Sequence, residues 1–494
     1  MAPQASKLTH IRLEPIERAV GAMSFLAVFL AATIVLGLLV GVLLHAIFIA
    51  ALSYWAPQFA QGNPSADLLL PAFITAIALV AFWLVYHAYL RLIWAGCLVF
   101  VLVFGFFQVR YTFAQVEPTA FSMIGNGFAQ LITLYVYYHI VRAGWDIYRA
   151  AGANMPRTEL ERILTLDPDP TVGNYCLRIF GIPSVCRFLP VTRRIIASGL
   201  FVLAALAFSL FILVLPPVPS ALVLNFRVTY ECFMEEGNDA ACWVSLAKQA
   251  AVLLILGIGI LIGGSLAFVA GWRFIARRFS RLSLEGLVSK DKRPPILFLR
   301  SFHDDQVRLS KPRQLFFRRV VSVGEPRPTL DHVLLEEGTP FGPVVAIGAP
   351  GSTPPFGAAR KYVTDQEWRD TIVELCRLSA AVVATIDQTE GVCWELRYLM
   401  TADHRQRTLF LVPPRLAQHD ELARILPGIF PEGEEGPGWI ERLRELLRSE
   451  GGYCIGWFWR SDEELDVMST TRPSSLAYTV AVRRFLRVRR HSYP

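Results

Sequence analysis

Hydrophobic positions fall into two patterns that change near residue 273. Before it they form long unbroken apolar runs. After it they form short runs that alternate with amphipathic stretches. A membrane-spanning helix needs about 20 apolar residues at 1.5 Å rise, and six segments read as such helices: 19–52, 68–89, 92–107, 120–141, 195–215 and 247–272. Lys and Arg are retained on the cytoplasmic side of a membrane. They crowd residues 142–194 and 273–293 and are scarce in 53–67, 108–119 and 216–246. This predicts a multi-pass inner (plasma) membrane protein with both termini cytoplasmic. No small-residue cleavage site follows the first apolar run, so that run is expected to be retained. The expected organisation is membrane helices 1–4 in 1–141, an Arg-rich cytoplasmic linker in 142–194, and helices 5 and 6 in 195–272 around an exterior loop at 216–246. A basic juxtamembrane linker at 273–293 and a cytoplasmic α/β domain at 294–494 complete it.

In that last part, residues 296–302, 343–347, 380–386 and 408–412 are β-branched or aromatic runs bounded by Gly, Pro or polar residues, with a weaker fifth at 453–459. Fully apolar strands alternating with helices predict a parallel sheet covered on both faces. Thr364, Asp365, Gln366 and Glu367 read as a capping box opening a helix that runs to Leu378. A second helix is expected over 392–402. In such folds ligands sit outside the carboxyl ends of the strands. Arg300, Phe302, His303, Asp304 and Asp305 follow the first strand there. A Gly/Pro loop over 348–357, with Gly348, Gly351 and Phe356, is long enough to close as a lid. Trp394 and Glu395 follow the 380–386 run, and Glu395 is expected in the first turn of its helix.

Composition narrows the function. Apolar residues make up 53% and charged residues 18%, and the mean hydropathy of +0.41 is too high for a disordered chain. The net charge of +7 is concentrated at 273–293, leaving no basic stripe with interleaved aromatics, so nucleic acid is not an expected partner. No Asp, Glu, Lys or Arg lies deep in an apolar run, and His45, His87, Asn126, Gln130 and His139 are the polar candidates there. Transport is therefore disfavoured. Gly257, Gly259, Gly263 and Gly264 suit close helix packing and point to a homo-oligomer. Cys232 and Cys242 share an exterior loop, where an oxidising compartment could join them. The cysteine spacing suggests no zinc, and no metal site is expected.

Residues 298–305 resemble the opening strand and acidic loop of Toll/interleukin receptor (TIR) domains, and residues 380–396 resemble the strand, loop and helix that carry their essential glutamate. The Gly391 to Glu395 spacing is also similar to the Gly-x-x-x-Glu of nucleoside deoxyribosyltransferases. The resemblance covers roughly residues 290–415. It implies a flavodoxin-like fold and cleavage of the N-glycosidic bond of NAD or a related nucleotide. NAD would be the substrate, with no cofactor required. Glu395 would then stabilise or attack the oxocarbenium-like anomeric carbon. Trp394, Phe302 or Phe356 would wall the base, and Arg300 or His303 would contact phosphate or ribose hydroxyls. Structural roles compete for the same residues: a Glu near a helix start suits the helix dipole, Arg300 suits an ion pair, and Asp304 and Asp305 suit loop caps. The alternative function is a non-enzymatic TIR-like module that binds a cytosolic partner or another copy from a bilayer anchor.

Overall fold

The short apolar runs beyond residue 293 become strands because both faces of the sheet they form are covered. The computed structural model of the chain describes residues 7–27, 29, 30, 81, 93, 120–150, 157–165, 199, 291–301, 307–310, 328–348, 359–362, 367–430 and 438–490. The strands are β1 (Lys7–Arg12), β2 (Ile296–Leu299), β3 (Val344–Gly348), β4 (Ala359–Tyr362), β5 (Ala381–Thr385), β6 (Thr408–Leu411), β7 (Tyr453–Trp459) and β8 (Glu464–Thr470). They form one eight-stranded sheet in the order β1-β8-β7-β6-β5-β2-β3-β4. Pairing is parallel throughout except where β7 meets β6 and β8. The expected parallel sheet is therefore corrected to a mixed one. Only four residues separate β7 from β8, and so short a connection can join only antiparallel strands.

Helices cover the two faces. On one lie α1 (residues 14–27), α2 (Ala120–Ala150), α3 (Arg157–Leu164), α4 (Leu330–Gly338) and the C-terminal helix Ser475–Arg490. Their apolar residues, among them Met23, Ile147, Ile163, Leu334 and Phe485, share a core with Phe298, Val383 and Met468 of the sheet. On the other face lie α5 (Trp368–Leu378), α6 (Glu390–Leu399), α8 (His419–Ile429) and α9 (Gly438–Ser449), with the single turn α7 (Ala402–Arg405) following α6. There Ile372, Leu396, Leu426 and Leu443 pack on Leu297, Val382, Phe410 and Trp457. The C-terminal helix is α10. A register shift between Cys454 and Gly456 lets β7 run close to β6, and a Cβ on Gly456 would overlap the Phe410 carbonyl oxygen.

Among the described residues, no helix is long and apolar enough to cross a membrane. This corrects the six-span bundle, the transmembrane character and the multi-pass inner-membrane location drawn from the apolar runs. α2 is 31 residues long, but Asn126, Gln130, His139 and Arg142 interrupt it. Its Ile140, Ala143, Ile147 and Ala150 are buried against protein. The start of the expected first span is α1, whose Ile16, Ala19, Val20, Met23 and Leu26 enter the same core. At α1 an apolar run that reads as lipid-facing is a core-facing helix stripe, whereas among the described side chains of α2 Leu134, Tyr135 and Tyr138 are exposed and the buried ones lie from His139 onward. The rest of the first span, and the second, third, fifth and sixth apart from residues 81, 93 and 199, lie outside the described residues.

Residues 7–27, and residues 157–165 within the Arg-rich linker, are joined to the sheet and its helices. β1 lies in parallel register with β8 from Lys7 opposite Glu464 to Arg12 opposite Ser469. Glu17 accepts hydrogen bonds from Thr470 Oγ1 at 2.7 Å and Ser474 Oγ at 3.0 Å. α3 docks on α10 through charge as well as apolar contact. Glu159 meets Arg484 at 2.6 Å and Arg460 at 3.2 Å, and Asp466 of β8 meets the same two arginines at 2.7 and 3.0 Å. Arg483 donates to the Ile163 carbonyl and Arg487 to that of Thr165.

Candidate functional site

The winding of the sheet reverses between β2 and β5. From β2 the chain moves outward to β3 and β4, and from β5 it moves the other way to β6 and β7. This is the position where carboxyl-end loops part and leave a crevice. Three loops converge there, carrying Ser301 after β2, Asp387 after β5 and Arg415 after β6. Asp387 Oδ1 accepts from the Gln388 amide at 2.8 Å and lies 3.1 Å from Arg415 Nη2. Burial opposes ionisation of Asp387. The Ser301 hydroxyl, the Gln388 amide and the Arg415 guanidinium outweigh it and hold the carboxyl below its ordinary range.

α6 rises from the same loop. Thr389 is its extended N-cap and Glu390 its first residue, so Glu395 falls in the second turn and not, as the sequence suggests, in the first. The exposed acid at the helix start is Glu390. The expected capping box likewise gives way to a start at Trp368: the N-cap is Glu367, which makes no side-chain cap bond. Thr364, Asp365 and Gln366 lie outside the described residues.

Val392, Cys393, Leu396 and Leu399 of α6 are buried. Glu395 is carried into the seam between α6 and α5, where its charge is felt by the buried Cys376. No cation and no hydrogen-bond donor among the described residues pairs with it. Burial alone pushes its carboxyl up to about 8. Between about 4.5, its ordinary value, and 8 the folded chain therefore holds a proton that the unfolded chain releases, so stability falls as pH rises through that window. Glu395→Gln removes this penalty. The variant is expected to melt above the natural chain at pH 8.5 and with it at pH 4; equal melting points at both values would show that the carboxyl is solvated.

An aromatic ladder lies beside it. Trp394 stacks on Tyr398 with ring centroids 5.6 Å apart and meets Trp368 edge-on at 5.2 Å. The Arg369 guanidinium lies 5.5 and 5.3 Å from the Trp368 and Trp394 centroids. Tyr398 Oη is 2.9 Å from His404 Nε2, and Arg407 Nη2 is 2.7 Å from His404 Nδ1. Arginine only donates, so His404 accepts at Nδ1 and carries its proton on Nε2, towards the tyrosine. Burial and the Arg407 charge keep its pKa below the ordinary value.

The other sequence candidates separate. Arg300 turns to the opposite face, where it forms a buried ion pair with Asp331 of α4 and lies 5.3 Å from the Phe298 ring. It is not brought to Glu395. Gly348 ends β3. Phe302, His303, Asp304, Asp305, Gly351 and Phe356 lie outside the described residues. A Cβ on Gly391 would meet Trp368 at 3.8 Å, an ordinary contact, so close packing does not require glycine there. Sequence reasoning missed Arg415, Asp387, Trp368 and Tyr398. Arg415 had a signal, since it stands just beyond the carboxyl end of an apolar strand. The helix contacts that align Trp368 with Tyr398 had none. No protein-family model, curated protein or solved structure matches the chain.

Proposed function

We propose that the chain cleaves the N-glycosidic bond of NAD or a related nucleotide, with Glu395 as the group that acts on the anomeric carbon. The observation that carries this reading is an unpaired, largely buried carboxyl flanked by stacked aromatic rings. Among the described residues no cation pairs with Glu395 itself, Arg369 lying over the Trp368 and Trp394 rings instead, and the nicotinamide ring of NAD is an aromatic cation. Its arrival next to Glu395 would lower the carboxyl's pKa and ionise it, while ring faces favour positive charge. As the ribosyl–nicotinamide bond breaks, its electron pair goes to the ring nitrogen and nicotinamide leaves neutral. The sugar carbon takes on the positive charge, and the carboxylate stabilises it electrostatically or bonds to it before water completes hydrolysis. The likeness of residues 298–305 and 380–396 to TIR domains supports the same chemistry.

The test is nicotinamide release from NAD by the concentrated full chain. Glu395→Gln is expected to lower kcat/KM at least about 100-fold, the scale of losing one group aimed at developing charge. For the natural chain, kcat/KM should rise with pH and level off above about 8 as Glu395 ionises. Release that survives the substitution, or a profile flat from pH 6 to 9, removes Glu395 from this role.

A docking role is favoured by a different observation. Leu134, Tyr138, Trp145 and Tyr148 project from α2 with 61, 55, 48 and 53% of their surfaces exposed, at spacings of four, seven and three residues that place them along one side of the helix. A chain inactive on NAD at every concentration would leave this reading standing.

A further inference from the structure

We propose a second catalytic site at the β1 edge of the sheet, in which Ser469 is a nucleophile towards small carboxylic esters, His10 its general base, and Glu450 the acid that positions His10. It is separate from Glu395 and independent of NAD cleavage. The placement of three side chains carries it. Ser469 Oγ and His10 Nε2 are 2.5 Å apart, and His10 Nδ1 is 3.8 Å from Glu450 Oε1. Arg12 Nη2 holds the other oxygen of that carboxylate at 2.6 Å. Nucleophile, base and orienting acid follow one another through the two nitrogens of a single imidazole.

Register brings this about. β1 and β8 are parallel, with His10 opposite Val467 and Arg12 opposite Ser469. Residues two apart on a strand share a face, so His10 and Ser469 lie with Leu8, Leu465 and Val467 on the side covered by α8 and α9. His10 reaches past Val467 to its diagonal neighbour Ser469, and Glu450, the residue after α9, meets its other nitrogen. Burial outweighs the pull of Glu450 and keeps the His10 pKa below its ordinary value. At neutral pH the imidazole is therefore uncharged: Ser469 donates to Nε2, and Nδ1 carries its proton towards Glu450. His419, the first residue of α8, donates from Nδ1 to the Glu450 carbonyl oxygen. That bond leaves His419 Nε2 as a bare acceptor, buried and without a hydrogen-bond partner among the described residues. His419 couples electrostatically to both His10 and Glu450. A structural Ser–His contact has no use for such an acceptor, whereas a site that must hold an alcohol or a water does.

Ser469 is 6% exposed, but the side chains of His10 and Glu450 are 17 and 30% exposed. A Cβ on Gly451, next to Glu450, would meet nothing within 4 Å. The approach is over the imidazole edge and narrow, which fits an ester with a small acyl group. Ser469 Oγ bonds to the carbonyl carbon as its proton passes to His10 Nε2. The bond to the alkoxide breaks, and the imidazolium returns the proton to the departing alcohol. Water then attacks the acyl-serine with the same base, releasing the carboxylic acid and restoring the hydroxyl.

The experiment treats the full chain with a fluorophosphonate probe, which bonds phosphorus to an activated serine and expels fluoride, and locates the adduct by peptide mass spectrometry. The natural chain should be labelled at Ser469 and Ser469→Ala should not be labelled. With melting temperatures matched, His10→Gln should slow labelling at least about 100-fold, the scale of losing a general base. Labelling should rise with pH through a midpoint below the ordinary histidine value, because only neutral His10 accepts the proton. The groups that face His10 are Glu450, Arg12, His419 and Glu14, and Glu450 is the one that raises its pKa most. Glu450→Gln should therefore lower the midpoint as well as slow the reaction, whereas an acid that does not act through His10 would leave the midpoint in place. No adduct, an adduct only on another serine, or equal rates for the natural chain and His10→Gln overturns the proposal. If Ser469→Ala fails to fold, the position of the adduct on the natural chain decides. An adduct at Ser469 without hydrolysis of p-nitrophenyl acetate overturns the ester assignment.

Discussion

Residues 290–494 produced alone are expected not to fold. The α/β unit they begin is completed by residues 7–27, 139–150 and 157–165. β1 forms the edge of the sheet beside β8. Ile11, Leu13, Ile16, Met23, Phe25, Leu26, Ile140, Ile147, Leu160 and Ile163 all enter the core shared with Phe298, Tyr478 and Phe485. Burying one large apolar side chain contributes roughly 2 kcal/mol. Losing half a dozen therefore matches the whole stability of an ordinary domain, about 5–15 kcal/mol. The truncated chain should bind a hydrophobic dye and show no cooperative melt, and supplying residues 1–165 in trans should abolish the dye binding and restore the melt. A truncated chain that melts cooperatively at the temperature of the whole one would refute this assignment of the core.

Asp466→Ala is the point substitution expected to cost most outside the crevice. Its carboxylate is 1% exposed and holds Arg484, itself 2% exposed, at 2.7 Å and Arg460 at 3.0 Å. Removing it leaves a sealed guanidinium with half its counter-charge, a change that costs about 3–5 kcal/mol in comparable buried pairs. Glu159→Gln should cost less, because Asp466 still holds both arginines. Glu159 also ties α3 to α10, so its loss should first loosen α3, seen as faster amide exchange across 157–165 with the global transition little moved. Urea titrations of the two single variants and the double variant provide the check. If the single effects simply add, the four side chains do not act as one network. Asp466→Leu combined with Arg484→Met should recover much of the loss, because an apolar pair needs no desolvation of charge.

The strands centred on 296–299, 344–347, 381–385, 408–411 and 453–459 were legible because each is a compact apolar run closed by Gly, Pro or polar residues. β1 was not. Lys7–Arg12 alternates polar and apolar residues at a sheet edge, and nothing local distinguishes it from a charged leader. β8, with Asp466 and Ser469 within it, hid its core position behind polar residues whose partners arrive from α10 and β1. The site divides in the same way. Glu395 was found from its neighbours in sequence, but its isolation depends on the packing of α5 against α6. Arg300 and Arg415 look alike in sequence, each just past the end of a strand; the sheet face on which Asp331 lies is what separates them.

Taken by itself, the order of residues determined the alternation of apolar strands with amphipathic helices after residue 293, and the placing of polar residues at strand ends. Those properties follow from short-range periodicity. Tertiary structure alone decided what the apolar residues within 19–27 and 139–150 are packed against, since hydrophobicity specifies removal from water and not the surface that replaces it. It also decided which charges meet. Glu159 and Asp466 are far apart along the chain and converge on the same two arginines because α3, β8 and α10 are brought together by their apolar faces.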